Sequence, residues 1–379
     1  MPYWRLSAFY FFYFSILGAL VPYWGLFLQG RGFDAVEIGQ LLAILMATKI
    51  IAPNIWGWLG DHLDQRIAIV RAASLLSIFV FGAMFFSFSF WSIAIVMALY
   101  SFFWNASLPQ FEVITFSYLK DKASRYARIR VWGSIGFIFT VTILGLFVDR
   151  FDTEIILPAV MFIFCSLWIS SLCVADPKNK NDNKNEQGLI FVLKKPAIIA
   201  FFIAAFLMQF SHGPYYAFFS IHLEQIGYSK SSIGQLWALG VFAEVIMFII
   251  MYKLLAIWGA QKVLAVSLFL AAIRWVLIGY LSNSLPTLLF AQLLHAATFG
   301  TFHAAAIHLV NQYFQGRFQG RGQALYSSLS FGAGGALGAL GSGFLWDSLG
   351  PGETFAISSV IALFGGIIAW YFVTESSNT

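Results

Sequence analysis

The chain has 379 residues, of which 60% are hydrophobic and only 10% charged, with a mean hydropathy of +0.79 and a formal net charge of +5. A soluble domain keeps its surface wet with about a quarter of its residues charged, so most of this surface must face lipid. The basic residues sit in short hydrophilic gaps with no basic stripe, which excludes a nucleic-acid partner, and Cys165 and Cys173 share one apolar run, which excludes a disulfide framework and metal-ligand spacing.

Apolar stretches long enough to cross a bilayer run over residues 6–28, 36–60, 68–86, 90–118, 128–149, 154–174, 196–222, 229–256, 262–282, 286–312, 323–348 and 352–373. Each is near or above the ~18 residues a spanning helix needs. The first is too long for a signal peptide and lacks a small-residue cleavage site, so it reads as a span. The stretches are continuously apolar rather than alternating, and backbone groups in lipid must be satisfied within the segment, which predicts helices and not a barrel. The one long polar segment, 176–195, is rich in Asn and Lys and reads as a linker between two six-helix halves, 1–175 and 196–379. The N-terminus and the gaps after even-numbered spans, taken with the span ends that flank them, hold 17 of the 22 Lys and Arg; the gaps after odd-numbered spans and their flanking ends hold three. That asymmetry predicts that both termini and the linker are cytoplasmic.

The two halves carry an internal repeat. Gly32 to Ala43 reads GFDAVEIGQLLA and Gly227 to Ala238 reads GYSKSSIGQLWA, so Ile-Gly-Gln-Leu recurs at an offset of 195 residues where spans 2 and 8 begin. Repeats of this kind enclose a site near mid-membrane in secondary transporters. Lys49 and Glu244 are related by the same offset and lie near mid-span.

The loop after span 2 reads Gly57-Trp-Leu-Gly-Asp61-His-Leu-Asp-Gln-Arg66, and span 5 opens on Tyr126-Ala-Arg128-Ile-Arg130-Val-Trp132-Gly133-Ser134-Ile-Gly136-Phe137. The first resembles the loop-2/3 signature of the major facilitator superfamily, with fewer basic residues than usual and a degenerate copy after span 8. Taken with Pro109 and Glu112 in span 4, Glu244 in VFAEVI, Arg274-Trp275, and His295 and His303 in span 10, the second resembles the phenylpropionate permease family, a relative of the lactose permease and nucleoside–proton symporter branches. The resemblance covers nearly the whole chain. It implies an all-α fold of twelve transmembrane helices in two six-helix halves, alternating access, and a monomeric proton symporter of the bacterial inner membrane. It suggests an aromatic carboxylate as substrate.

Ionisable groups inside a span cost roughly 2.5–3.5 kcal/mol each on insertion scales, so each needs a partner or a role. Lys49, Glu112, Glu244 and Arg274 are the four well inside. Lactose-permease-like proteins carry a Glu, an Arg and a His on spans 8, 9 and 10, so the resemblance implies that Glu244 exchanges the proton while Arg274 and a histidine, His303, set its affinity. The alternative is a static Glu244–Arg274 ion pair joining spans 8 and 9. Lys49, His212, before a probable break at Gly213-Pro214, and His295 are candidates for the cavity. So are Trp24, Trp104, Asn105 and Tyr215, because spans 1, 4 and 7 line it in the family. Asp61, Arg66, Glu112, Arg128 and Arg130 are candidates for gating at the cytoplasmic end. His295 and His303 lie eight residues apart, about 80° around a helix and ~12 Å along it, and have no Cys or carboxylate beside them, so no metal site and no cofactor are expected. The expected partners are a small-molecule solute, protons and lipid. A sugar or nucleoside symporter, an exporter of the same fold, and, more distantly, a non-transporting sensor stay open. No catalytic Ser/His/Asp or paired-carboxylate arrangement lies at a membrane surface, which argues against an enzyme.

Overall fold

A computed structural model describes residues 2–63, 65–120, 125–176, 193–315 and 318–375. The side chain of Asp61 and most of the expected linker lie outside the described residues. Among those described, all regular structure is helical. Among the described residues, eleven helices are long and apolar enough to cross a membrane: spans 1 (Tyr3–Gly30), 2 (Ala35–Gly60), 3 (Arg66–Phe86), 4 (Phe90–Leu119), 5 (Tyr126–Phe151) and 6 (Thr153–Leu172), then 7 (Pro196–Gln225), 8 (Lys230–Trp258), 9 (Ala260–Leu281), 10 (Leu285–Tyr313) and 12 (Pro351–Phe372). The expected eleventh span is also helical, in three consecutive pieces over Gln319–Ser327, Ser328–Gly334 and Gly335–Leu349. Glycine and serine dilute its apolarity below that of the other eleven. The chain is an all-α membrane protein, as its sequence leads one to expect.

The chain divides into two compact units, Met1–Asp182 with Ser220–Ala238, and Asn183–Phe219 with Leu239–Thr379. The hairpin between spans 7 and 8 therefore belongs to the first unit, whereas the expected boundary assigned it to the second half. Within unit 1, span 1 packs on spans 5 and 6, and span 3 on spans 4 and 6. Within unit 2, span 7 packs on spans 11 and 12, and span 9 on spans 10 and 12. The same pairing rule thus recurs six spans later.

The repeat extends to backbone detail. Gly32 and Gly227 both adopt positive φ, +87° and +96°. Each closes the preceding helix, with its N–H donating to Gln29 O (2.9 Å) or Glu224 O (3.0 Å). Two residues on, Asp34 Oδ1 accepts from Glu37 N–H at 2.8 Å, and Ser229 Oγ accepts from Ser232 N–H at 3.1 Å. These are matching N-caps for spans 2 and 8. The left-handed turn is where glycine is needed, since a Cβ there is strained.

Small residues set the closest helix crossings. A Cβ on Gly18 would lie 2.7 Å from the backbone oxygen of Phe137, where spans 1 and 5 meet, and one on Gly334 would lie 2.6 Å from that of Phe206, where spans 7 and 11 meet. Gly338 makes a comparable approach to Phe210. The glycine run of span 11 thus brings backbones together, a role small residues play in lipid, where no hydrophobic force drives helices together.

Candidate functional site

The polar groups of unit 2 gather around Arg274, which is fully buried in span 9. Its guanidinium is held by neutral acceptors: Nε donates to Ala291 O (2.9 Å), Nη1 to Thr298 Oγ1 (3.1 Å) and His295 Nδ1 (3.2 Å), and Nη2 to Gln292 Oε1 (3.4 Å). It also lies 4.1 Å from the centroid of the Tyr215 ring, whose hydroxyl donates to Gln292 Oε1 at 2.9 Å. No carboxylate among the described residues lies within 4.0 Å of Arg274. A direct Glu244–Arg274 ion pair is therefore not what joins spans 8 and 9.

Glu244 instead faces His295, with Oε2 3.7 Å from Nε2. Guanidinium has donors only, so the nitrogen it meets must offer a lone pair. His295 is then neutral and protonated on Nε2, the nitrogen turned toward Glu244. The three residues form a line: a fixed cation, an imidazole whose tautomer that cation dictates, and a carboxylate. Eight residues on, His303 Nδ1 lies 3.2 Å from Tyr326 Oη of span 11. The rings of His295, Phe299 and His303 stack in sequence at 5.4 and 6.3 Å.

His212 is fully buried at the break in span 7. Its Nδ1 meets Met208 O at 2.8 Å, and since a carbonyl only accepts, that nitrogen carries the hydrogen. Its Nε2 is then a bare acceptor, buried, like the Gln292 amide nitrogen, without a hydrogen-bond partner among the described residues.

Unit 1 holds a second polar group on spans 2 and 4. Asn105 Nδ2 donates to Thr48 Oγ1 (2.9 Å), and Thr48 Oγ1 donates to Ser101 Oγ (3.0 Å). Beside them the half-buried Lys49 ammonium meets only Met46 Sδ, at 3.5 Å, and no carboxylate within 4.0 Å among the described residues. Trp104 stacks on Tyr13 at 5.1 Å, with its indole N–H buried and without a hydrogen-bond partner among the described residues. Trp24, by contrast, is packed away inside the unit with its indole N–H on Met97 Sδ.

The residues expected at the gate divide among separate contacts within unit 1. Arg66 Nη1 donates to Gln110 Oε1 at 2.6 Å, and Gln110 Nε2 to Trp56 O at 2.9 Å, which ties spans 2, 3 and 4. Glu112 accepts from Tyr126 Oη at 2.8 Å, which ties spans 4 and 5. Arg130 lies 3.7 Å above the Phe14 ring. Arg128 is exposed, and its backbone oxygen accepts from Tyr3 Oη at 3.0 Å. Gln292, Thr298, Tyr326, Thr48 and Ser101 join these constellations without being singled out from sequence. Their signal is the one that marks the charged residues, a polar side chain inside an apolar run, but hydroxyls and amides are common enough in spans to pass unnoticed.

The model of the MFS_1 like family matches residues 3–357. The chain is 29% identical to the probable 3-phenylpropionic acid transporter of Escherichia coli K12, covering 94% of each sequence. It is 22% identical to the maltose permease of Geobacillus stearothermophilus over 95% of this chain and 92% of that one. Among solved structures, a mutant form of the nucleoside transporter NupG superposes with a TM-score of 0.85 at 16% identity, covering 98% of each chain. A bacterial homolog of the human lysosomal transporter Spinster superposes with a TM-score of 0.77 at 12% identity, covering both chains completely. These structural likenesses bear on the fold.

Proposed function

The chain belongs to the MFS_1 like family, and from that membership we propose that it is a proton-coupled symporter of a small organic acid, an aromatic carboxylate such as 3-phenylpropionate, working by alternating access. It is a transporter and not an enzyme. Its membrane is the bacterial inner membrane, with both termini cytoplasmic; the 17-to-3 distribution of basic residues supports that orientation.

The observation that carries the proposal is that two mid-span cations, Lys49 in unit 1 and Arg274 in unit 2, have no carboxylate within 4.0 Å among the described residues. An uncompensated charge in a span is costly, and an anionic solute compensates it. Lys49 receives the solute's carboxylate, with Asn105 and Trp104 beside it. Trp104 in unit 1 and His212 in unit 2 each hold a buried polar atom without a hydrogen-bond partner among the described residues, which supports a solute-binding role for each, because leaving such groups unmet costs about 1–3 kcal/mol each. Tyr215 contributes to the Arg274 cluster of unit 2, and Trp24 supports span 1 from inside unit 1. In unit 2, Glu244 takes up and releases the proton, His295 donates its Nε2–H toward the carboxylate, and Arg274 holds His295 in that donor tautomer. His303, with Tyr326, carries the path on toward the cytoplasmic end. Arg66, Glu112, Arg128, Arg130 and Asp61 form the gate. The protein acts as a monomer, with no metal or cofactor.

The Thr48–Ser101–Asn105 chain favours a second reading, a sugar or nucleoside symporter, since hydroxyls and amides suit a polyol. Binding of 3-phenylpropionate and of its amide to purified protein separates the two. Tight binding of the acid and weak binding of the amide supports the acid reading; equal binding overturns it.

A further inference from the structure

Gly240 and Glu244 lie four residues apart on span 8, one α-helical turn, and so share a face. The groups they meet on span 10, His295 and Gly300, lie five apart. A Cβ on Gly240 would approach His295 Cβ and Cγ, both at 3.3 Å. A Cβ on Gly300 would lie 2.7 Å from Glu244 Cγ. Each helix therefore offers a glycine to receive the titratable side chain of the other.

That reciprocity conflicts with regular α-helix geometry. Five residues at 3.6 per turn leave the second position about 140° around from the first, so His295 and Gly300 would not both face span 8. The interval is a π-helical turn, Ala296–Thr301. Bonds spanning five residues widen the turn and bring positions five apart onto nearly one face. Thr301 Oγ1 donates to Ala296 O, five residues back, at 3.0 Å, and Thr298 within the turn receives Arg274 Nη1 at 3.1 Å.

We infer that the π turn of span 10 is a register device: with Gly300 as its contact point, it sets the separation of Glu244 and His295, making Gly300 a positioning residue for proton coupling. This rests on the coupling reading above. A methyl group at residue 300 cannot be met by a shift of the far end of a flexible chain, because the atom it strikes is Glu244 Cγ, one bond from the carboxyl. Glu244 must swing, and the carboxylate leaves its place opposite His295.

The test compares Gly300→Ala with wild type and with Gly341→Ala. A Cβ on Gly341 would make only ordinary contact, 3.7 Å from the end of the Phe210 ring. Uphill accumulation driven by a pH gradient and equilibrium exchange of the same solute are measured in proteoliposomes, with the pH profile of each. Gly300→Ala should lower accumulation roughly tenfold, in line with the cost of misplacing a reacting group by a fraction of an ångström to one ångström, and leave exchange within about twofold. Its accumulation should also show a displaced pH profile, and Gly341→Ala should match wild type. If Gly300→Ala does not fold, Gly240→Ala probes the same register from span 8 by crowding His295, with the same split expected. Wild-type accumulation and pH profile in a folded Gly300→Ala or Gly240→Ala protein overturns the inference alone, provided Glu244→Gln abolishes accumulation. Accumulation that survives Glu244→Gln overturns the coupling reading and this inference with it.

Discussion

Arg274 Nη1 donates to His295 Nδ1 at 3.2 Å, and this bond decides which nitrogen of the imidazole faces Glu244. The guanidinium accepts nothing, so His295 keeps its one hydrogen on Nε2, directed at the carboxylate, and has no free lone pair to take a second proton. A second proton on His295 would have to displace Arg274 from Nδ1 and place two cations together in a buried site, so the proposed coupling rests the exchanging proton on Glu244. On the proposed coupling, Arg274 acts on the proton through His295 rather than by pairing with the acid.

Arg274→Lys tests this. An ammonium cannot reproduce a planar fork that reaches Ala291, Thr298, His295 and Gln292 together. Uphill accumulation should fall at least about tenfold while the protein stays folded, because the charge is kept and only the geometry is lost. Arg274→Ala should lower stability by about 1–3 kcal/mol, because buried acceptors are left unmet. Thermal unfolding of the two variants in detergent, set beside transport in proteoliposomes, checks both statements. A Lys variant that accumulates solute like wild type would detach Arg274 from coupling.

Glu244→Gln removes the titrating group and keeps its volume. Accumulation against a gradient should vanish, while exchange of labelled for unlabelled solute across the membrane should persist. Exchange in that variant should also lose its dependence on pH, because the carboxyl that exchanges the proton is gone. Loss of both activities together would instead assign Glu244 to solute binding.

The sequence made the spans legible because lipid forces each to be a long apolar run, and the few ionisable residues inside stand out against it. The repeat was legible for a similar reason: Gly32 and Gly227 occupy a left-handed turn that strongly favours glycine, so the turn is written directly into the sequence. Which histidine meets Glu244 was not legible. His303 and His295 both lie on span 10, and the 3.6 residues per turn that would give their relative azimuth does not hold through the π turn at Ala296–Thr301. No residue in AATFGT announces that break, because it is set by what spans 8 and 9 bring against it. The gate candidates were visible as charges, but their sorting into Arg66–Gln110, Glu112–Tyr126 and Arg130 on Phe14 depends on helix rotation, which composition does not encode.

Lys49→Gln should weaken binding of 3-phenylpropionate by roughly ten- to a hundredfold, the range expected for loss of one charge-assisted contact of about 1.5–3 kcal/mol. It should leave binding of the neutral amide nearly unchanged. Calorimetric titration of both ligands against both proteins measures the difference. An equal loss for acid and amide would point to a role for Lys49 in folding or packing and not in reading the carboxylate.

The last prediction concerns the ends of spans 5 and 8, on the side opposite the termini and inside unit 1. Asp149 accepts from the backbone N–H groups of Lys230 and Ser231, at 2.8 Å from Oδ1 and 2.9 Å from Oδ2, and so caps the start of span 8 from span 5. The two helices meet there on glycine: a Cβ on Gly145 would lie 2.9 Å from Lys230 O, and one on Gly234 would lie 2.5 Å from Val141 O. Tyr23 fills the junction, its hydroxyl donating to Val141 O at 2.6 Å. A carboxylate at a helix N-terminus satisfies otherwise orphaned donors and meets the positive end of the helix dipole, a contribution of about 0.5–2 kcal/mol. The cap should therefore hold the start of span 8 against the end of span 5. Asp149→Ala should speed backbone hydrogen exchange across 229–233 by roughly threefold to thirtyfold, the equivalent of that energy. Asp149→Asn, which keeps one acceptor and loses the charge, should fall between. Amide exchange followed by mass spectrometry on all three proteins gives the ranking, and unchanged exchange in the Ala variant would mean that the glycine contacts alone close this end.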